Sequence, residues 1–468
     1  MSDVTTTDLY EVTMALSYLR EGMDRPATFS LFVRDLPDER GFLVSAGLEA
    51  ALDFLEGFRV SPGDVRDFAA ALGRPAADLG ALEGLRFTGE VRAVPEGRAV
   101  FAGEPLLEVT APLPEAQMVE TFLLNQVSHQ TAVAAKAARC VLASRGRPVV
   151  DFSLRRTHGR DAGLQAARVS ALAGFAGTSD VAAAVRWALP ASGTMAHSYV
   201  EAFPDEESAF RAFARAHPGP VTFLVDTYDT LRGTATAARV LRDLGPPAGS
   251  GVRLDSGDLG ALARGARQVL DAQGLTQVRI IASGGLDEYR VDDLVRSGAP
   301  IDVFAVGTRV GTAADAPYLD SAYKLVEYDG NPVMKLSSAK ATAPGRKQVH
   351  RRPGQPDLVA LRDEPAPPDT EPLLRTVMRA GRRVGPPDTL AAARARLRAD
   401  LGALPGAALR IRGPRPPRPG VSRGLARATA ALGERLRARY GPVPAGPGAG
   451  AATGSPAGTV PSGRAAWT

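Results

Sequence analysis

The chain is 468 residues long, 44% hydrophobic and 23% charged, with a formal net charge of +5. Those proportions fit a globular protein with well-formed cores and exclude a fibrous or wholly disordered chain. No apolar run is long enough to cross a bilayer, and Met1-Ser2-Asp3-Val4 opens no basic-then-apolar leader, so neither a membrane-spanning nor a secreted protein is expected.

Cys140 is the single cysteine, which excludes an internal disulfide framework and a cysteine-based metal site and points to the cytoplasm. The excess arginine lies late in the chain, around Arg375 to Arg398 and Arg410 to Arg439. It has no aromatic interleaving and no nucleic-acid reading motif, so a solvated basic face is expected, with no nucleic-acid partner.

In chain order, Thr6 to Leu19 predicts a helix capped by Thr7 or Asp8, with Leu9, Val12, Met14, Leu16 and Leu19 on a broad apolar face. Ala27 to Arg34 alternates like a half-buried strand, a second helical pattern runs from Ala46 through Phe58, and strands follow near Phe87 to Val94 and Ala99 to Val109. Residues 1–113 therefore read as an α+β domain. Pro114 to Ser144 predicts one long connecting helix within 114–145.

The pattern then changes. Over 146–325, short and nearly continuous apolar strands alternate with helices: Val149 to Arg155, a strand presenting His197, Val221 to Asp229, Gly251 to Asp255, Val278 to Gly285, and Ile301 to Thr308. Strands buried on both faces of a parallel sheet read this way. Each ends in polar, charged or glycine residues, as at the carboxyl ends of (β/α) barrel strands. Six strands rather than eight predict an irregular barrel. The fold class is thus α/β: an irregular (β/α) barrel packed on an α+β N-terminal domain. Asp329-Gly330-Asn331 reads as a hairpin turn into Val333 to Leu336, and Thr389 to Leu404 as a helix, in a region 326–408 expected to pack back on the N-terminal domain. Residues 409–468, rich in Pro, Gly, Ala and Arg, read as a largely disordered tail.

The barrel mouth would collect Asp151, Arg155, Asp180, His197, Asp226, Asp229, Arg253, Asp255, Asp258, Ser283, Gly284 and Gly307. Glycine turns at Ser283-Gly284-Gly285 and Val306-Gly307-Thr308 let backbone amides approach an anion closely, although tight turns alone would also need glycine. Interleaved carboxylates and arginines suit Mg²⁺, phosphate and a small acid, or else a rim of structural ion pairs. If their strands are neighbours, Asp226 can hold one ring nitrogen of His197 while the other faces a ligand. His158 lies near the mouth, whereas His129, His217 and His350 read as structural or surface residues. There is no metal-ligand spacing, nucleophile elbow or P-loop.

The phrases Thr7-Asp8-Leu9-Tyr10, Arg40-Gly41-Phe42-Leu43-Val44, Asp151-Phe152-Ser153-Leu154-Arg155-Arg156, Gly177-Thr178-Ser179, Gly193-Thr194-Met195-Ala196-His197-Ser198, Gly251-Val252-Arg253-Leu254-Asp255-Ser256-Gly257-Asp258 and Val306-Gly307-Thr308-Arg309 resemble the nicotinate phosphoribosyltransferase family. Gly345-Arg346-Lys347-Gln348-Val349 also fits. The resemblance implies a type II phosphoribosyltransferase fold and a homodimer with active sites at the subunit interface. It implies a reaction joining nicotinate to phosphoribosyl pyrophosphate, giving nicotinate mononucleotide and pyrophosphate, with ATP hydrolysed alongside in NAD salvage.

Residue by residue, the resemblance makes His197 the histidine phosphorylated by ATP and Asp226 the acid that orients it. Phe152 and Arg155 match the pyridine pocket, and Tyr10 stacks there from the neighbouring subunit. Arg253 and Asp255 match ribose and phosphate contacts, with Mg²⁺ near Asp255. Ser283, Gly284, Gly307 and Thr308 match the phosphate loops, and Arg34 and Lys335 the ATP or pyrophosphate contacts.

Two departures stand out. Asp180 occupies a position where nicotinate enzymes often carry asparagine and the nicotinamide enzyme carries aspartate, and Ser283-Gly284-Gly285 lacks an acidic residue seen in relatives. The rivals are therefore a nicotinamide phosphoribosyltransferase and, from another class, a non-catalytic phosphosugar-binding barrel.

Overall fold

A computed structural model describes residues 3–245, 247–336 and 342–441 of the chain. The expectation of disorder beyond Pro442 lies outside the described residues.

The N-terminal part is built on a seven-stranded sheet whose interior includes the strand Pro26–Val33. That strand pairs antiparallel with Pro105–Pro112 on one side and Ser321–Tyr328 on the other. The expected half-buried alternation is replaced by burial of nearly every residue, because both faces of the sheet are covered. Phe29, for instance, stacks on Tyr323 with ring centroids 4.7 Å apart. A boundary at 325 would cut the strand Ser321–Tyr328, which belongs to this sheet rather than to the barrel. Arg375–Arg379 extends the same sheet by pairing with Glu90–Ala93. At the hairpin, Asp329 and Gly330 both have positive φ (48° and 72°), joining Ser321–Tyr328 to Asn331–Pro332.

The expected connecting helix is two helices, Leu113–Gln117 and Glu120–Ser144. Met118 and Val119 between them are both buried. Adjacent positions on one straight helix point about 100° apart, so a bend lets both side chains enter the core. The long second helix carries Lys136 and Arg139 into the interior, where Lys136 Nζ pairs with Glu288 (2.5 Å) and Asp315 (2.8 Å), and Arg139 Nε with Glu288 (3.0 Å). Arg40 of the N-terminal part reaches the same Asp315 at 2.8 Å. Burying this many charges is tolerable only because each meets an opposite charge.

The second part is a six-stranded parallel sheet: β1 (Val149–Asp151), β2 (Gly177–Thr178), β3 (Thr222–Leu224), β4 (Gly251–Leu254), β5 (Arg279–Ala282) and β6 (Val303–Val306). Their spatial order is β2-β1-β6-β5-β4-β3. The last strand thus pairs with the first, and the sheet stays open between β2 and β3. The segment bearing His197 crosses that opening. It was expected as a strand, but Ala191 makes only an isolated bridge to Thr178, and His197 begins the short helix His197–Glu201. Ala191-Ser192-Gly193-Thr194 offers no run of large apolar side chains to hold a ladder on both faces. Gly177–Thr178 takes the strand position instead.

The proposed tail is ordered over its first half. Ser422 caps an 18-residue helix, Arg423–Tyr440, which buries Leu425 and Leu432, and Gly420–Val421 pairs with Leu358–Leu361. The Ala- and Arg-rich composition hid an amphipathic stripe that another element could cover. Among the described residues, no helix is long and apolar enough to cross a membrane.

Candidate active site

The carboxyl ends of β1 to β6 all face one mouth, because the strands are parallel. At the end of β1, Asp151 is a clamp: its carboxylate accepts from Ser153 N (3.0 Å) and from Thr178 Oγ1 on β2 (2.7 Å). Burial pushes its pKa above the ordinary range, those bonds pull it back, and neighbouring Asp180 pushes it further up. Phe152 N donates to Val306 O (2.8 Å), which fixes the next residues against β6. Phe152 is half-buried and Arg155 is exposed beyond it.

Asp180 caps the helix Val181–Arg186, with Oδ1 accepting from Ala183 N at 3.1 Å. Its Oδ2 is buried and has no hydrogen-bond partner among the described residues. Asp229 and Asp258, expected in the mouth, are helix caps as well. Asp229 accepts from Arg232 N, and Asp258 from Gly260 N and Ala261 N. Carboxylates at helix starts satisfy amides that a helix leaves unpaired, which explains their place after each strand.

Asp226 follows β3. One carboxylate oxygen accepts from Asp255 N (3.0 Å) and Ser256 Oγ (2.7 Å), tying the ends of β3 and β4 together. The other, Oδ1, is buried and has no hydrogen-bond partner among the described residues. The expected bond from Asp226 to His197 is not the one formed here: His197 Nδ1 lies 3.2 Å from Thr227 Oγ1. Asp226 is committed to the turn after β4, and the adjacent hydroxyl takes the ring. If Nδ1 carries the proton and the hydroxyl accepts it, Nε2 keeps its lone pair.

Arg253, on β4, donates through one terminal nitrogen to Thr194 Oγ1 and through the other to Met195 O (3.1 Å). It thereby holds the segment two residues before His197. Burial lowers its pKa, Asp255 and Asp226 raise it, and Arg155 lowers it again, so two guanidinium groups act on each other across the mouth. A second guanidinium close enough to act on Arg253 makes this side of the mouth attractive to an anion. Asp255 Oδ1 accepts from Ser283 Oγ (2.5 Å), linking β4 to β5. Gly284 follows at φ +88°, and a Cβ there would collide with the Asp255 carbonyl. At the end of β6, a Cβ on Gly307 would press on Phe152 O at 2.7 Å, and Thr308–Gly311 turns away as a short helix.

His197, Asp226, Arg253, Asp255, Ser283 and Gly284 thus form one connected set, joined through Thr194, Met195 and Thr227. Phe152 lies against Gly307 at the end of β6, and Arg155 reaches the set through its charge on Arg253. Tyr10, Arg34 and Lys335 are elsewhere on this chain. Tyr10 lies on the helix Leu9–Arg20 beside Glu120, 45% exposed, and Arg34 is paired with Asp320 at 2.5 Å. Lys335 is exposed, with its backbone near Thr342. His217 packs on Phe213, and His350 sits in the strand Lys347–Arg351. The reading of motifs missed Thr194 and Thr227. Thr227 stands next to the acid that was named, so a second side chain able to reach His197 was visible at that strand end.

Residues 5–128 match the family model for the nicotinate phosphoribosyltransferase N-terminal domain, and residues 148–353 the model for the nicotinate phosphoribosyltransferase family. Nicotinate phosphoribosyltransferase pncB2 of Mycobacterium tuberculosis is 49% identical over 406 residues, covering 85% of this chain and 87% of that protein. The nicotinate phosphoribosyltransferase of Bacillus subtilis is 45% identical over 373 residues, 76% of each chain. The crystal structure of human nicotinic acid phosphoribosyltransferase superposes with a TM-score of 0.80 at 31% identity, covering 91% of this chain and 99% of that one. Connected strand ends, matched motifs and identity over most of the length agree: this chain belongs to the nicotinate phosphoribosyltransferase family.

Proposed function

We propose that the protein joins nicotinate to phosphoribosyl pyrophosphate, giving nicotinate mononucleotide and pyrophosphate, with ATP hydrolysis coupled through a phosphohistidine at His197. The observation that carries this reading is the hydrogen-bonded set at one sheet edge, in which Arg253 holds the His197 segment while Asp226 and Asp255 tie β3, β4 and β5. When the ribose C1–O bond breaks, the electron pair leaves with pyrophosphate and the sugar becomes cationic. The nicotinate nitrogen then bonds to C1. Fixed carboxylates near the sugar and arginines near the leaving group stabilise both charges without reorganising.

Phe152 stacks on the pyridine ring and Arg155 meets the nicotinate carboxylate. Gly284, Gly307 and Thr308 cradle phosphate, with Ser283 steadying Asp255. Phosphorylation at Nε2 of His197 breaks the bond between the γ-phosphate and ADP and places negative charge beside the leaving-group site. Arg34 and Lys335 stand apart from this set on the single chain, and their contact with ATP or pyrophosphate phosphates rests on the family resemblance alone. Magnesium fits the donors present: Asp226 retains an unpartnered buried oxygen, and Asp255 lies next to it. Bound with substrate phosphates, the ion would offset charge on the departing pyrophosphate. We assign a homodimer with shared sites, in which Tyr10 of a second copy faces Phe152; Leu9 and Tyr10 are 47% and 45% exposed in the single chain. Cys140, buried and unpaired, fits the reducing cytoplasm.

One observation favours a second reading. The unpartnered Oδ2 of Asp180 would accept a hydrogen from an amide and repel a carboxylate, which favours nicotinamide. Turnover of both bases with and without ATP decides between them; nicotinate is expected to be preferred, and a clear preference for the amide would overturn that choice. Mass spectrometry should find a labile phosphate on His197 after incubation with ATP. His197→Ala should lose ATP coupling with the fold intact, and unchanged ATP hydrolysis in that variant would remove His197 from the mechanism. Binding of phosphoribosyl pyrophosphate without product from either base would favour the non-catalytic barrel.

A further inference from the structure

The two glycine turns are joined by a side-chain link outside the set already described. Asp287 closes the turn after β5, where it caps the helix Glu288–Arg296 by accepting from Arg290 N at 2.9 Å. Its other oxygen meets Arg309 Nη1 at 2.5 Å. Arg309 is the second residue of the short helix that follows Gly307. One buried carboxylate therefore caps the element after the first turn and grips a guanidinium from the second.

Asp287 is 3% exposed, whereas the Arg309 side chain is 52% exposed. A pair with one end half in water contributes little to stability, so its placement needs another explanation. The next residue, Glu288, is locked by Lys136 and Arg139 of the long connecting helix, so the Asp287 end of the link is anchored in the molecule's interior. An unneutralised carboxylate beside turns that receive phosphate would repel it, and Arg309 supplies the opposing charge.

We propose that Asp287 and Arg309 are a positioning pair that holds the two turns at one spacing for the sugar pyrophosphate, an inference that rests on the phosphoribosyl-transfer reading above. Neither residue contacts the reacting atoms. The pair sets where the amides of Gly284 and Gly307 stand, and it cancels a buried negative charge next to them.

Steady-state kinetics of Asp287→Asn, Arg309→Met and the double variant, with phosphoribosyl pyrophosphate varied and the thermal midpoint recorded, test this. Asparagine still caps the helix, so Asp287→Asn should keep its midpoint, while kcat falls about tenfold because the turns lose their fixed spacing. Its KM for phosphoribosyl pyrophosphate should not rise, since the freed guanidinium adds positive charge. Arg309→Met should raise that KM, and adding Asp287→Asn to it should bring KM back down by removing the orphaned carboxylate. A double variant with KM no better than Arg309→Met would make Arg309 a direct substrate ligand and overturn the pair. Wild-type kcat in Asp287→Asn, or a kcat loss matched by a collapsed midpoint, would overturn it too. Absence of any product from the wild-type protein would instead bring down the transfer reading itself, and the pair with it.

Discussion

At the scale of single residues, Gly284 shows how narrowly the mouth is specified. Its φ of +88° costs a side-chain-bearing residue about 1–2 kcal/mol. That cost is the smaller part, because the added methyl would strike the Asp255 carbonyl, whose own carboxylate is held by Ser283. Gly284→Ala should therefore lower kcat/KM at least about a hundredfold by displacing Asp255. Gly298→Ala is the control: it has φ +66° but nothing within 4 Å of the new carbon, so it should lose stability and keep its kinetics. Equal activity in the two variants would mean that Asp255 need not be held. The need for glycine at 284 was legible in the sequence; its reason, the closeness of another strand's carbonyl, was not, since that contact joins residues far apart in the chain. Asp229 and Asp258 mislead for a related cause. A carboxylate at a strand end serves equally as the first cap of the next helix, and only the amide partners tell the roles apart.

Among the elements, the helix Leu9–Arg20 carries the clearest pH signature. Glu11 is fully buried and accepts from Thr7 Oγ1 and from the amide and hydroxyl of Thr121. Burial pushes its pKa up to about 7 from an ordinary 4.5, although those hydrogen bonds oppose the shift. A carboxyl raised in the folded state holds its proton more tightly there than in the open chain. Its stabilising contribution is full below the unfolded value and disappears as pH climbs through the folded one. The wild type should lose on the order of 3 kcal/mol through this group between about pH 5 and about pH 8. Urea unfolding of Glu11→Gln should show a flatter pH dependence over that interval, and parallel curves for the two proteins would place the proton elsewhere. Helices were readable from a recurring apolar face at Leu9–Arg20 and Leu48–Gly57, and from an alanine- and arginine-rich run at Leu390–Ala403. Pro62–Leu72, with its Ser61 and Asp64 capping box, went unread. Periodicity also failed at Arg423–Tyr440, where alanine and arginine carry a stripe of few large residues, and at Met118-Val119, where packing bends a run that looks continuous.

For the whole molecule, the chain's last third binds back onto its first. Arg98 joins Glu371 (2.8 Å) and Asp400 (2.9 Å), and Arg383 joins Glu49 (2.6 Å). The barrel is tied to the first through Lys136, Asp315 and Arg40, and to the last through Arg412, which meets Asp292 and Asp293. The apolar β strands of the barrel were legible because burial on both faces leaves a continuous hydrophobic run. The order in which they pair, and the closure of the last on the first, depend on contacts no local pattern carries. The proposed shared sites make a prediction at this scale: Tyr10→Ala and His197→Ala, each impaired alone, should regain activity when mixed and allowed to exchange subunits. A mixture no more active than its parts would mean that each chain works with its own Tyr10. The opening between β2 and β3 has a mechanical consequence as well. Since His197 rides on a stretch that makes a single ladder bridge among the described residues, the proposed phosphorylation would shift that stretch without breaking the parallel strands on either side. The reactive ring is mounted in a hinged panel rather than in the wall, and amides from 192 to 198 should exchange with deuterium well ahead of those in β4 and β5.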